Sequence, residues 1–337
     1  MFRVSAYTGG KSDPSARFRV RQYIPALRNL GVDVHDRPSY FGSYPPPIKV
    51  LRPIWAAAAA AERALSSAWS YESDLTLFQR PMLSTLVTAE PLTRRPRVLD
   101  VDDAIWLSRG GAAARWLARL CDTVICGNDY LAEHFSRWNR EVHVHPTAVD
   151  TDRFRPREWN GALARKVIGW SGSGSSYRFL ETILPALRAV LDNHRDVIFR
   201  IVGPTRPKLD GIRDTQFDFV PWSPESEVRA IQEMAVGLMP LDDTAWTRGK
   251  CSFKLLTYMA CAVPAVASPV GMNAAVLRAG GSLGPSRWKD WSAAIESLLT
   301  DEGLARRIGE QGRNVVLRDY SVSALAPGLA RILRSGS

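Results

Sequence analysis

The stretch GKCSFKLLTYMACAVPAVASPVG, Gly249 to Gly271, decides the fold. It reads as two basic side chains at the head of an apolar helix, followed by a buried strand opened by Pro264. Lys250 and Lys254 stand four apart and so share one face of the first turns, while Phe253, Leu255, Leu256, Tyr258, Met259 and Ala260 supply an apolar helix for a core. Cations placed beside the unpaired N–H groups of a helix start suit a phosphate. A core helix with two solvated lysines at its mouth fits the same letters.

Outward from this stretch, the second half repeats one rhythm. RKVIGWSGSGSSYRFLETILPALRAVL (165–191) reads as a strand, a Gly/Ser loop and a long amphipathic helix, with Ser175 or Ser176 as cap and Arg178 in the first turn. Gly172 and Gly174 admit a ligand close to backbone N–H groups. The full GxGxxG fingerprint is missing and no acidic residue follows a second strand at the expected distance, which argues against a nicotinamide site. DVIFRIVGP and FDFVPW are strands, PESEVRAIQEMA a helix begun by Pro224, and AVGLMPL a strand leading into the opening stretch. Amphipathic helices over Trp291–Leu299 and Gly303–Leu317 follow, and SALAPGLARIL is a last one.

The first half shares this architecture. FRVSAYT runs into Gly9-Gly10, and SARFRVRQYIPALRNLG is a helix closed by Gly31, with Arg17, Arg19 and Arg21 crowding its entrance. SDLTLFQR is a short buried strand, and RPRVLDVDDAIWL is a strand ending in Asp100, Asp102 and Asp103. Carboxylates at the carboxyl end of a strand sit where α/β folds place their chemistry. A divalent cation, a sugar hydroxyl and a helix cap are all open to them. Residues 112–120 form a short helix, and CDTVICGNDYLAEHFSRW gives strand, turn and helix with Asn128 or Asp129 as cap. TAVDTDRFRPREWNG (147–161) is aperiodic and marks a domain boundary. The expected organisation is two doubly wound α/β domains, 1–155 and 156–318, facing across a cleft, with a final helix in 319–337.

The 337 residues suit two cores, and 45% hydrophobic with 23% charged residues describes a globular chain. A formal charge of +10 implies an anionic partner: nucleic acid, an acidic lipid surface or a phosphorylated small molecule. Tryptophans and arginines are scattered without any nucleic-acid signature, so no nucleic-acid partner is expected. The four cysteines (Cys121, Cys126, Cys251, Cys261) lack zinc spacing and read as reduced and buried, implying a cytoplasmic compartment. The five histidines form no metal cluster, and no metal or other cofactor is expected. No apolar signal core opens the chain. IWAAAAAAERALSSAW (54–69) is interrupted by Glu62 and Arg63 well short of a span of about 20 residues. It fits either a helix packed on its own domain or one lying at the inner face of a membrane.

Taken in order, PSARFRVRQYIPAL, LFQR, VLDVDDAIW, ICGNDYLAEHF, PTAVDTDRF, IGWSGSGSSY and GLMPLDDTAWTRGKCSFKLLTYMACAVPAVASPVG resemble bacterial glycosyltransferase family 4, from about Arg3 to Gly271. The resemblance implies a GT-B fold with an acceptor domain, a nucleotide-sugar domain and a last helix crossing back to the first. It implies retaining, metal-independent transfer of a sugar from a nucleoside diphosphate donor, in polysaccharide, cell-envelope or other glycoconjugate synthesis. The acceptor could be a glycan, a lipid carrier or a small molecule. On the donor side it assigns Ser171, Gly172, Ser173, Arg178, Arg248, Lys250 and Thr257, and for catalysis Asp102, Asp103 and Lys254. Gly10, Arg17 and Arg19 fall to the acceptor or a phosphate. One departure stands out. Many members carry two glutamates seven residues apart, and aligning LLTYMA with LLEAMA puts Thr257 at the second and Gly249 near the first. Asp242 or Asp243 could stand in for a missing carboxylate. A weakened, donor-binding protein of the same fold is the alternative. A second departure is Asp102, which falls where many members have a histidine.

Overall fold

The structure, a computed structural model, describes residues 1–11, 13–157 and 166–336. Of the expected boundary stretch, Glu158 to Gly161 lie outside the described residues. The chain divides into two compact units, each considered by itself.

Unit 1 comprises Met1–Ala148, Arg248–Cys251 and Val322–Ser337. Its sheet holds β1 (Phe2–Thr8), β2 (Val32–Pro38), β3 (Leu75–Gln79), β4 (Arg97–Val101), β5 (Thr123–Cys126) and β6 (Val142–Val144), all parallel, in the order β2-β1-β3-β4-β5-β6. The order reverses at β1 and β3, so a crevice is expected at their carboxyl ends. The strands β3, β4 and β5 are buried at every position, as parallel strands covered on both faces must be. The final helix, Val322–Ser335, gives Ala326, Leu329, Ala330 and Leu333 to the same core as Val4, Leu27 and Val34.

Unit 2 comprises Val149–Thr247 and Ser252–Ser321. Its strands are β7 (Val167–Ser171), β8 (Ile198–Gly203), β9 (Phe217–Pro221), β10 (Val236–Met239), β11 (Ala265–Ala267) and β12 (Ser282–Leu283). They run parallel in the order β12-β11-β10-β7-β8-β9, the dinucleotide-fold order with its reversal between β7 and β10. Two six-stranded parallel sheets with covering helices are the doubly wound architecture read from the sequence.

Local differences have physical causes. The helix expected after the Gly/Ser loop is broken: one turn spans Arg178–Glu181, and a separate helix starts at Leu184 with Pro185 in its first turn. Pro185 cannot continue a helix through itself, because its ring opposes the carbonyl four residues back and it donates no N–H. Ser175 and Ser176 do not cap; both hydroxyls pair with that of Ser173. Asn128 does cap, accepting from the Leu131 N–H at 2.9 Å. Helix Met272–Ala279 and the short β12 had no counterpart in the sequence reading.

At the centre of unit 1, Arg19 is buried and fork-bonded to Asp100, Nε to Oδ1 at 2.9 Å and Nη2 to Oδ2 at 2.6 Å. Its Nη1 donates to the His145 carbonyl at 2.7 Å, tying the first helix to β4 and to the segment after β6. Replacing Asp100 with Asn should strand the Arg19 charge and lower stability by about 3–5 kcal/mol, read as a fall in urea midpoint. His145 is buried too, and desolvation together with the Arg19 charge lowers its pKa from 6.5 to about 3. Within that window the unfolded chain binds a proton that the folded chain refuses, so stability falls as pH falls. His145→Gln should flatten this acid limb in urea denaturation curves collected across the same window.

Candidate active site

In unit 2 the loop after β7 and the head of the helix Phe253–Ala260 come together. The Lys254 Nζ lies 4.3 Å from the centre of the Trp170 ring, the Trp being the fourth residue of β7. A Cβ added to Gly172 would stand 2.5 Å from both Cε and Nζ of Lys254 and 2.7 Å from the Trp170 ring. A side chain there would displace the ammonium, so glycine is what lets the amine reach the backbone of the loop. The Tyr258 hydroxyl accepts from the Ser171 N–H at 2.9 Å and donates to the Leu238 carbonyl at 3.3 Å, stitching β7 to β10 at the reversal. Lys254 therefore stands at the carboxyl end of the strand beside which this fold binds its ligands. The indole face stabilises the cation.

Other residues expected on the donor side are distributed differently. Ser171 is buried; Ser173 is exposed, its hydroxyl 3.1 Å from that of Ser175. Arg178 is exposed, with its guanidinium 4.8 Å from the Phe179 ring centre. Thr257 is buried and donates its hydroxyl to the Lys254 carbonyl at 2.8 Å, so it presents no polar group to a ligand. Arg248 is exposed.

Lys250 departs most from the sequence reading. Ser252 takes a left-handed conformation (φ 54°), so the helix starts at Phe253 and Lys250 is outside it. The shared helix face does not exist. Residues 248–251 instead count with unit 1, where Lys250 Nζ lies 3.5 Å from Asp103 Oδ1. Asn128 Nδ2 donates to the Lys250 carbonyl at 3.1 Å, and the Cys251 thiol contacts the Asp102 carbonyl at 3.3 Å. Gly249 is pressed on Ala104, whose Cβ would be 2.8 Å from a Cβ at 249.

Asp102 and Asp103 form the second cluster, at the end of β4. Arg80, itself left-handed at φ 64°, donates Nε to Asp102 Oδ1 at 2.5 Å and Nη2 to Asp103 Oδ2 at 3.2 Å. Its Nη1 reaches the Tyr44 hydroxyl at 3.2 Å. A non-glycine residue held left-handed costs roughly 1 kcal/mol or more, and here it aims one guanidinium at two carboxylates. Burial raises the proton affinity of both acids. For Asp102 the charges of Arg80 and Arg19 overcome it and lower the pKa, while for Asp103 burial prevails over Arg80 and Lys250 and the pKa is raised. Arg19 spends its donors on Asp100, His145 and Thr147 and is out of reach of a soluble anion, which corrects its expected contact with one. Arg17 is half-buried over the Phe18 ring, and the Gly10 carbonyl accepts from Arg21 Nη2 at 3.2 Å. Among the described residues no group of three or more His, Cys, Asp or Glu is placed to hold a metal ion.

Sequence reasoning missed Arg80, Trp170 and Tyr258. Arg80 had a visible signal, its place at the very end of a buried strand. Asp242, weighed as a stand-in carboxylate, is half-buried just beyond β10, and among the described residues its buried Oδ1 has no hydrogen-bond partner.

Comparison with known proteins adds the following. Residues 165–301 match the family model described as glycosyl transferases group 1. No curated protein matches the chain by sequence. Among solved structures, a sucrose-phosphate synthase from Thermosynechococcus elongatus is similar over 99% of both chains, at 15% identity and TM-score 0.68. Anabaena HepE, solved in complex with UDP and glucose, covers 99% of this chain and 100% of its own at 14% identity and TM-score 0.70. A glycosyltransferase from Rickettsia africae covers 99% of this chain and 98% of its own at 12% identity and TM-score 0.68. Residues 165–301 thus carry the sequence pattern of glycosyl transferases group 1, on a chain whose paired parallel sheets have the GT-B fold of solved glycosyltransferases.

Proposed function

We propose that the chain is a retaining glycosyltransferase, taking a sugar, a hexose in the simplest case, from a nucleoside diphosphate to an acceptor hydroxyl. The observation that carries this reading is the Lys254 ammonium seated against Gly172 at the reversal of the unit 2 sheet. In the reaction the bond from the anomeric carbon to the diphosphate oxygen breaks and a bond to the acceptor oxygen forms. Negative charge accumulates on the departing diphosphate, whose oxygen takes up the proton that the acceptor hydroxyl gives up. Lys254 supplies a fixed positive charge there, the task a metal performs in other transferases, so the reading is metal-independent. HepE was solved with UDP, which supports a nucleoside diphosphate as the donor's leaving group.

On the acceptor side, Asp102 is held charged by Arg80, whose guanidinium also fixes Asp103, and the raised proton affinity of Asp103 suits it to accept the acceptor hydroxyl as a hydrogen-bond partner. Asp242, with an unpartnered oxygen, is the carboxylate that takes over donor recognition where Thr257 and Gly249 provide none. Four buried, unpaired thiols fit a reducing cytoplasm, and glycoconjugate synthesis, as for a polysaccharide or cell envelope, is the favoured setting. The buried hydroxyl at Thr257 also favours a second reading, a protein that binds donors without turning them over. Tight donor binding with no transfer or hydrolysis would select it.

A thermal-shift series with UDP, GDP, dTDP and CDP should show at least one raising the melting temperature. Lys254→Ala should abolish that shift and lower kcat about 10²–10³-fold with the matching donor sugar. If no nucleotide shifts the melting point and the substitution changes nothing, the proposal fails. Gly172→Ala pushes the amine aside without removing it, and should weaken nucleotide binding at least about tenfold by calorimetry while the far-UV spectrum stays unchanged.

A further inference from the structure

The helix Arg52–Ser67 in unit 1 is turned inside out by the standards of a surface helix. Apart from Arg52 at its start, its charged residues point inward: Arg63 is fully buried and donates to the Arg37 carbonyl at 2.9 Å and to the Thr8 carbonyl, and Glu62 accepts from the Ser39 hydroxyl at 3.0 Å. Its outward stripe is apolar. Ile54 (70% exposed), Ala57, Ala61, Ala64 and Leu65 (78% exposed) fall within about 100° of one another around the axis and include no charged or hydrogen-bonding side chain. The helix Glu302–Val315 shows the usual arrangement, with Glu302, Arg306, Arg307 and Glu310 exposed.

The loop before the inverted helix extends the same surface. Tyr40 is 91% exposed and Val50 79%, with Phe41, Tyr44 and Ile48 also exposed. The loop is fastened beside the first turns of the helix, by Trp55 Nε1 to the Phe41 carbonyl at 3.0 Å and Arg52 Nε to the Pro46 carbonyl at 3.1 Å. Beyond the far end of the helix, Trp69 and Tyr71 are exposed. Aromatic side chains with one polar atom, set around aliphatic ones, are the composition that sits at a bilayer interface. The charges of the loop and of the helix as far as Ala61 are of one sign. Residues 37–61 contain Arg37, Lys49 and Arg52 and no carboxylate, and Lys49 and Arg52 are exposed. A second copy docking face to face would set these cations against themselves, whereas anionic headgroups would neutralise them.

We propose that this face of unit 1, the loop Tyr40–Leu51 with the outer stripe of the helix Arg52–Ser67, docks on the surface of an anionic bilayer. The Ala-rich helix lies along the interface with Ile54 and Leu65 entering the acyl boundary, while Lys49 and Arg52 meet headgroup phosphates. Among the described residues no helix is long and apolar enough to cross a membrane, so this contact is peripheral.

The test is sedimentation of the full chain with phosphatidylcholine vesicles, with and without phosphatidylglycerol, at low and high salt. Binding is expected with the anionic vesicles at low salt, weakened by salt, together with a blue shift of tryptophan emission. The pairs Ile54→Glu with Leu65→Glu and Lys49→Glu with Arg52→Glu change exposed positions, so the fold should survive, and each should weaken binding at least about tenfold. Their nucleotide-induced thermal shift should be that of the wild type, which separates this surface from the donor site. Absence of binding to anionic vesicles at low salt, or binding by both double variants as tight as that of the wild type, overturns the proposal. So does a wild-type dimer in ultracentrifugation that Ile54→Glu with Leu65→Glu dissociates while vesicles bind neither protein.

Discussion

A missing Cβ at position 172 is the constraint that sets where the Lys254 ammonium lies in unit 2. The ammonium of Lys254, the indole of Trp170 and the backbone after β7 occupy a space with no room for one more carbon. The helix bearing Lys254 must approach β7 closely, and the Tyr258 hydroxyl holds it there by bonding to Ser171 and Leu238 at once. Three residues of one helix thus do different work on one strand end: Lys254 brings charge, Tyr258 sets the distance, and Thr257 satisfies the helix itself. The packing of Gly172 and Trp170 against Lys254 fixes where the cation lies.

Unit 1 solves a different electrostatic problem. Three aspartates close together at the end of one strand repel each other, and burial makes their charge costly. The chain answers with its own cations: Arg19 on Asp100, Arg80 on Asp102 and Asp103, and Lys250 on Asp103. The pairs differ in tightness. Arg19 and Asp100 form a closed fork deep in the unit, whereas Lys250 reaches Asp103 at 3.5 Å, the longest contact of the set. Asp103 is therefore the member best able to exchange a protein partner for a ligand. Such a cluster is closed at its inner end and more loosely held at its outer end.

What was legible in the sequence followed from period and punctuation. Parallel strands such as LTLFQ and VIGWS are apolar runs closed by a glycine or a charged residue, and Asn128 announced its cap. The pattern could not show a break at Pro185, because the apolar spacing continues through it. It misplaced Lys250 for a related reason: spacing of four implies a shared face only if both residues are helical, and Ser252 adopts φ 54° just before the helix. Contacts between distant segments, such as Arg80 with Asp102 or Trp170 with Lys254, leave no periodic trace at all. Pattern alone pointed to Lys254 and the glycine loop, and crowding at a helix entrance to Arg19, while the resemblance carried Thr257 toward a ligand; Arg19 and Thr257 are buried.

The charge of +10 illustrates the same limit from the other side. A total is silent about place, and many of these arginines are absorbed internally, as Arg19, Arg63 and Arg80 are. What distinguishes the stretch 37–61 is less its count of cations than the absence of any acid to balance them. In the sequence, Glu62 and Arg63 interrupt an apolar run and so look like the polar face of its helix. The structure turns both inward and leaves the alanines, Ile54 and Leu65 facing out, so the residues that seemed to make the helix water-facing are those that fasten it to the unit. Burying an arginine under a helix is costly unless its donors are met; the carbonyls of Arg37 and Thr8, at the carboxyl ends of β2 and β1, take Nη1 and Nη2 of Arg63, while among the described residues its Nε has no hydrogen-bond partner. The orientation of the stripe is thus fixed by the interior of the unit, and its exposed apolar face is a consequence, of the kind that marks interaction sites.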